Sequence, residues 1–134
     1  MATKKISVLR IEPEVIAQKK DYFLHYIDQS LPPIANQNEF LDGSLLKSLL
    51  DGTVQLWVVL RHNEDGTYDR GHDGIQILYT TRISYDPATN SRVLVLYTMT
   101  FARQTDSSVL AHGLGELRRF AREQHCGKII AYTD

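Results

Sequence analysis

Residues 92–134, RVLVLYTMTFARQTDSSVLAHGLGELRRFAREQHCGKIIAYTD, read strand, loop, helix, strand. Val93–Phe101 is nearly continuous in apolar and β-branched residues. Leu110, Leu114, Leu117 and Ala121 then recur at helical spacing. They predict a helix that begins at Ser107 or Ser108 and ends at Gly127. Lys128–Thr133 is a second strand. Two strands joined by one long helix make a βαβ crossover, so they lie parallel in one sheet. Ligands of such units sit at the C-terminal end of the first strand and the N-terminus of the helix. A small anionic ligand is therefore expected at residues 101–110.

Upstream, the same reasoning places the other elements. Lys5–Ile11 alternates Ile6 and Val8 with Ser7 and reads as a strand. Pro13 and the acids Glu12 and Glu14 suit a first helical turn. Val15, Ile16, Tyr22, Phe23, Tyr26 and Ile27 extend one apolar face, which predicts a helix over 13–29. Leu31-Pro32-Pro33 stops it. Phe40, Leu41, Leu45, Leu46, Leu49 and Leu50 form a second helical face, starting at Asp42 or Ser44 and ending at Asp51-Gly52. Val54–Arg61 is a strand. Residues 61–74 are a polar, glycine-rich hairpin loop. In the next strand Ile75, Ile77, Tyr79, Ile83 and Tyr85 alternate onto one apolar face. A turn at Asp86–Asn90 makes it a hairpin with Arg92–Phe101. The order is β-α-α-β-β-β-α-β. This predicts an α/β (α+β) fold with a central mixed sheet and helices on both faces.

The chain has 134 residues, consistent with one domain over 1–134. Its net charge of −1 argues against a dedicated nucleic-acid binder. The single cysteine, Cys126, excludes an intrachain disulfide framework and fits a reducing compartment. MATKKISVLRIEPEV lacks the apolar core of a signal peptide, and no apolar run reaches the roughly eighteen residues of a membrane span. A soluble intracellular protein is expected.

The element order resembles that of the GNAT superfamily of acyl-CoA N-acyltransferases, up to its fifth strand. The segment LRRFAREQHCGKIIAYTD looks like the GNAT-like proteins of tailed phages. The family carries a Q/R-x-x-G-x-G/A loop whose backbone amides hold the pyrophosphate of coenzyme A. That motif aligns here with Gln104-Thr105-Asp106-Ser107-Ser108-Val109. The resemblance thus implies Gln104, Ser107 and Ser108 as the acyl-CoA contacts. The motif's glycines are absent, Val109 is expected to crowd the phosphate, and Asp106 opposes an anion. The family also continues past its fifth strand with an α-β-β portion, and this sequence is expected to lack it. Strand Lys128–Thr133 is then an open edge, suited to a protein partner or to self-association.

An acyl transfer to an amine needs a base and an oxyanion donor. The resemblance points to tyrosines of the later strands, Tyr97 and Tyr132 foremost. Tyr79 and Tyr85 read as packing residues with hydroxyls at the rim. Asn63, Asp65 and Gly66 imitate part of a calcium loop, but Arg61 and His72 stand at its terminal ligand positions. His62, Asp69, His72 and Asp73 show no metal-ligand spacing, so no metal is expected. Cys126 follows a helix C-terminus, the wrong pole for a reactive thiolate. Arg118, Arg119 and Arg122 read as a solvated helix face. Gly113 and Gly115 weaken that helix unless it packs closely. These readings favour a non-catalytic GNAT-like protein without a cofactor, acting through protein contacts in or around a phage virion. Its setting is then the host cytoplasm or the particle. The alternative is an acetyl-CoA-dependent N-acetyltransferase completed by a second chain.

Overall fold

The computed structural model describes residues 4–27, 44–68, 74–102 and 107–131. Its elements are β1 (Lys4–Ile11), α1 (Pro13–Gln18), α2 (Lys20–Ile27), α3 (Ser44–Asp51), β2 (Val54–Asn63), β3 (Ile75–Asp86), β4 (Ser91–Phe101), α4 (Ser107–Glu123) and β5 (Lys128–Ala131). The five strands form one sheet in the order β1-β2-β3-β4-β5. β1 to β4 pair antiparallel with one another, and β5 pairs parallel to β4. This is the mixed sheet expected from the βαβ unit and the hairpins.

Helices cover both faces. On one, Ile16 of α1, Phe23 of α2 and Leu49 of α3 pack on Val54, Leu56, Val58 and Leu78. On the other, Val109, Leu117, Phe120 and Ala121 of α4 pack on Trp57, Val59, Ile77, Tyr79 and Leu94. Alternation of side chains along β2 divides the residues between these two cores. Trp57 ties the second core together. Its Nε1 donates to Thr81 Oγ1 at 2.9 Å, and Thr81 Oγ1 donates to Gln55 Oε1 at 2.9 Å. The Trp57 ring stacks on Tyr79 at 6.1 Å and meets the Phe120 ring edge-on at 5.0 Å. The Arg10 guanidinium lies over Phe120, 5.8 Å from its centroid, and so links β1 to α4.

Three local expectations change. The helix predicted over 13–29 breaks at Lys19, whose φ/ψ of −124°/33° is not helical. Hydrogen bonds from Lys19 N to Val15 O and from Phe23 N to Lys19 O bridge the break, so the chain turns without losing the ladder. Ile16 and Phe23 both stay buried in one core. Neither glycine nor proline marks the site.

The long helix ends at Glu123, earlier than Gly127. His125 takes a left-handed φ of 57°. Its N–H donates to Arg122 O and that of Cys126 to Ala121 O, the two bonds of a Schellman stop. Cys126 is half-buried and packs against the cluster that contains Ala121, as the apolar contact of such a stop requires. Histidine tolerates this conformation better than most residues. Gly127 N then donates to Arg92 O and leads into β5.

The third change concerns side-chain direction. The register shifts between Val59 and Leu60, so that Val59 faces Ile77 while Leu60 faces Ile75. The extra residue, Gln76, turns Ile75 to the α1–α3 side, away from Ile77 and Tyr79. Tyr85 keeps its strand but is 63% exposed, so it is not the packing aromatic expected.

Candidate functional site

β4 and β5 pair from Val93↔Lys128 to Leu96↔Ala131. β4 runs on to Phe101 beyond the last described pair. Just past the last described pair, β4 bulges against β3. Thr80 faces Thr98 and Thr81 faces Leu96, which leaves Tyr97 as the extra residue. A bulge disrupts the local ladder and re-aims side chains, and bulges gather beside functional sites. Tyr97 is half-buried and packs against the core on the α1–α3 side. Next to it, Thr80 Oγ1 and Thr98 Oγ1 lie 2.7 Å apart, and Thr98 N donates to Thr80 Oγ1 at 3.1 Å. Both threonines are buried.

The bulge lies on the strand that leads toward the N-terminal turn of α4. Ser107 and Ser108 open that helix and are exposed. Ser108 O also accepts from, or pairs with, the His112 ring through Nδ1 at 2.8 Å. Because a carbonyl only accepts, the His112 Nδ1 carries the proton in this contact. Val109 is fully buried among the side chains under α4, so it fills the core instead of crowding a ligand. Gln104, Asp106, Tyr132 and Asp134 lie outside the described residues. Asp69, His72 and Asp73 of the hairpin loop do as well.

Between α4 and the sheet runs a crevice of about 10 Å³, lined by Ile77, Tyr79, Met99, Leu110, Leu114 and Leu117. It admits no more than a water molecule. The one polar group on its wall is already used. Tyr79 Oη donates to Gly113 O at 3.1 Å. Burial, with the nearby Glu116 carboxylate second, holds the Tyr79 phenol well above its ordinary value. Tyr79 therefore pins the helix to the sheet and is a poor proton donor. Gly113 lets the helix come this close, because a Cβ there would lie 3.2 Å from Val59 Cγ2.

The outer face of α4 is balanced. Arg119 sits 3.7 Å from Glu116 and 3.2 Å from Glu123. Arg118, Arg119 and Arg122 are exposed, as expected of a solvated face. At the other end of the sheet Lys128 Nζ meets Asp86 Oδ2 at 3.1 Å. That bond, followed by the Ala88 amide, lowers the Asp86 carboxyl below its ordinary range. Cys126 has its thiol pushed up by burial, which the Arg92 charge opposes only in part. This leaves it in the protonated, unreactive form. Among the described residues no group of three or more His, Cys, Asp or Glu side chains converges on a metal position. No described helix is long and apolar enough to cross a membrane.

Solved structures recognise this architecture. A GNAT family acetyltransferase of Staphylococcus aureus superposes with a TM-score of 0.66 at 14% identity, covering 100% of this chain and 88% of that one. The fold is that of the GNAT acetyltransferases. A probable acetyltransferase matches with a TM-score of 0.64 at 17% identity, over 96% of this chain and 79% of the other. An aminoglycoside N-acetyltransferase in complex with CoA gives 0.63 at 12% identity, over 98% and 79%. No protein-family model and no curated protein matches the sequence. At these identities the likeness concerns the fold, and one fold hosts many activities.

The α4 N-terminus with Ser107 and Ser108, and Tyr97 on β4, follow from the pattern. The bulge and the Thr80–Thr98 pair do not. Their only trace is the polar alternation Thr98, Thr100 inside an otherwise apolar strand.

Proposed function

We propose that this GNAT-like protein works through protein contacts and docks a second copy of itself along β5. The observation that supports this most is the exposure of all four residues of β5. Ile129 and Ile130 are 37% and 36% exposed and alternate onto opposite faces of the strand. Among the described residues β5 pairs only with β4, and a strand with an unpaired side and apolar residues on both faces is a template for another strand. The closed, apolar crevice behind α4 agrees with a module that does not process a ligand there. The resemblance to phage-encoded GNAT-like proteins suggests a place in a virion or its assembly.

A second reading has its own support. β4 carries a bulge at Tyr97 and leads toward the start of α4, and a fold neighbour was solved with CoA. On that reading acetyl-CoA binds at Gln104, Ser107 and Ser108, and Tyr97 or Tyr132 serves the transfer.

Native mass spectrometry of the wild type and of Ile129→Lys/Ile130→Lys, with thermal melts in acetyl-CoA, separates the two. The first reading expects a dimer that the double variant dissociates, and no thermal shift. A ligand at a hundredfold its Kd stabilises by about 2.7 kcal/mol, a rise of several degrees. Such a rise overturns the first reading in favour of the second, in which a second chain completes the site, and a monomeric wild type overturns the docking along β5.

A further inference from the structure

Ser7 and His62 stand 55 positions apart in sequence and meet across β1 and β2, with Ser7 Oγ 2.8 Å from His62 Nε2. The other ring nitrogen, Nδ1, is 2.8 Å from Asn63 O. That carbonyl can only accept, so Nδ1 carries the proton of the neutral ring. In that tautomer Nε2 presents a lone pair and accepts from the Ser7 hydroxyl. A hydroxyl donating to an imidazole whose tautomer is fixed by a third group is the arrangement of an activated nucleophile. The ring is also held from the side. Tyr68 meets it edge-on at 6.3 Å. Tyr68 in turn lies close against Gly74, where φ is +77° and a side chain has no room.

The surroundings supply the other two requirements. β1 is an outer strand of the sheet. Arg61 N donates to Gly74 O on the β3 side, so the pair Arg61↔Ile6 is not hydrogen-bonded across β1 and β2. By alternation the amides of Ile6 and Val8, on either side of Ser7, point out of the sheet edge. They lie about 7 Å apart on the strand, so either one, but not both, can donate to an oxyanion beside the nucleophile. On the same face as Ser7, its cross-strand neighbour Leu60 joins Ile11, Val15, Lys19, Tyr22 and Phe23 around a groove of about 440 Å³, which reaches the dyad through Leu60 and is not lined by Ser7 or His62 themselves.

We propose that Ser7 and His62 form a nucleophilic dyad that cleaves carboxylic esters with an apolar acyl chain, the chain lying in this groove. Ser7 Oγ bonds to the ester carbonyl carbon while His62 Nε2 takes the hydroxyl proton and the carbonyl electrons move onto oxygen. The C–O bond to the alcohol breaks, and the alcohol leaves with the proton from Nε2. Water, deprotonated by the same nitrogen, then releases the acid and restores Ser7. This site is separate from the Tyr97 region and does not depend on the dimer.

The full chain is treated with an alkyl fluorophosphonate, and the adduct is mapped by peptide mass spectrometry. Ser7 Oγ forms the P–O bond, its proton passes to His62, and fluoride leaves. Hydrolysis of p-nitrophenyl butyrate is followed in parallel. The dyad expects the adduct on Ser7, a loss of at least tenfold in both readouts for His62→Gln, and unchanged readouts for Ser91→Ala. Absence of an adduct on Ser7 in the wild-type chain overturns the proposal even if the variants misfold. So does equal labelling of Ser7 in a folded His62→Gln chain.

Discussion

Gly113 and Gly115 lie two residues apart on α4 and should respond to alanine with opposite signs. At Gly115 an added Cβ meets nothing within 4 Å. Only the helix propensity changes, so Gly115→Ala should stabilise by about 1 kcal/mol. In a domain of this size that raises Tm by roughly 3–5 °C. At Gly113 the same gain is opposed. The new methyl would sit 3.2 Å from Val59 Cγ2 and 3.7 Å from Tyr79 Cε1. Val59 is 0% exposed on an inner strand and has nowhere to retreat. Overpacking of this kind costs roughly 1–3 kcal/mol, which leaves a net loss of about 0–2 kcal/mol. Lifting the helix instead stretches the 3.1 Å bond from Tyr79 Oη to Gly113 O. Urea and thermal melts of both variants, followed by circular dichroism, give the comparison. If Gly113→Ala stabilised as much as Gly115→Ala, the contact between α4 and the sheet would be looser than argued, and glycine would not be needed for it.

Two further variants probe the buried polar groups. Tyr79→Phe should cost about 1 kcal/mol near neutral pH, since it removes one buried hydrogen bond. Its pH dependence has a definite sign. The folded phenol is held above its ordinary value of 10.0, so its contribution is complete below about pH 10 and is lost as pH rises toward the folded value. The gap between wild type and Tyr79→Phe should therefore shrink above pH 10 in pH-resolved denaturation, and a constant gap would contradict it. Thr80→Val should cost about 2–3 kcal/mol, because Thr98 N and Thr98 Oγ1 lose the same partner in a dry site. The urea midpoint should fall with an unchanged m-value.

The strands and the last helix were legible because their apolar spacing is local. Leu110, Leu114 and Leu117 announce α4, and the alternation around Ile77 and Tyr79 announces β3. What escaped depends on pairing between distant segments. The bulge at Gln76 that sends Ile75 to the other face is a property of the β2–β3 register. The bulge at Tyr97 belongs to the β3–β4 register. Neither carries a local glycine or proline mark. The helix stop misled for a different reason. Gly127 looks like the obvious terminator, yet His125 adopts the left-handed turn because Cys126 can then pack against the cluster that contains Ala121. The contact between Ser7 and His62 was equally hidden, since each residue is unremarkable within its own strand. Gln104 and Tyr132, which the resemblance singled out, lie outside the described residues.

Trp57 gives the molecule a built-in optical probe. The chain has one tryptophan, and it is 6% exposed where β2, β3 and α4 converge. Its indole touches Phe120 of the helix on one side and Tyr79 of the sheet on the other. Separation of α4 from the sheet would admit water to that ring and shift its emission to the red, while the β2–β3 pairing beneath it could stay intact. Fluorescence then follows the docking of one helix and circular dichroism the whole chain. Where the two traces part, α4 is coming off as a unit.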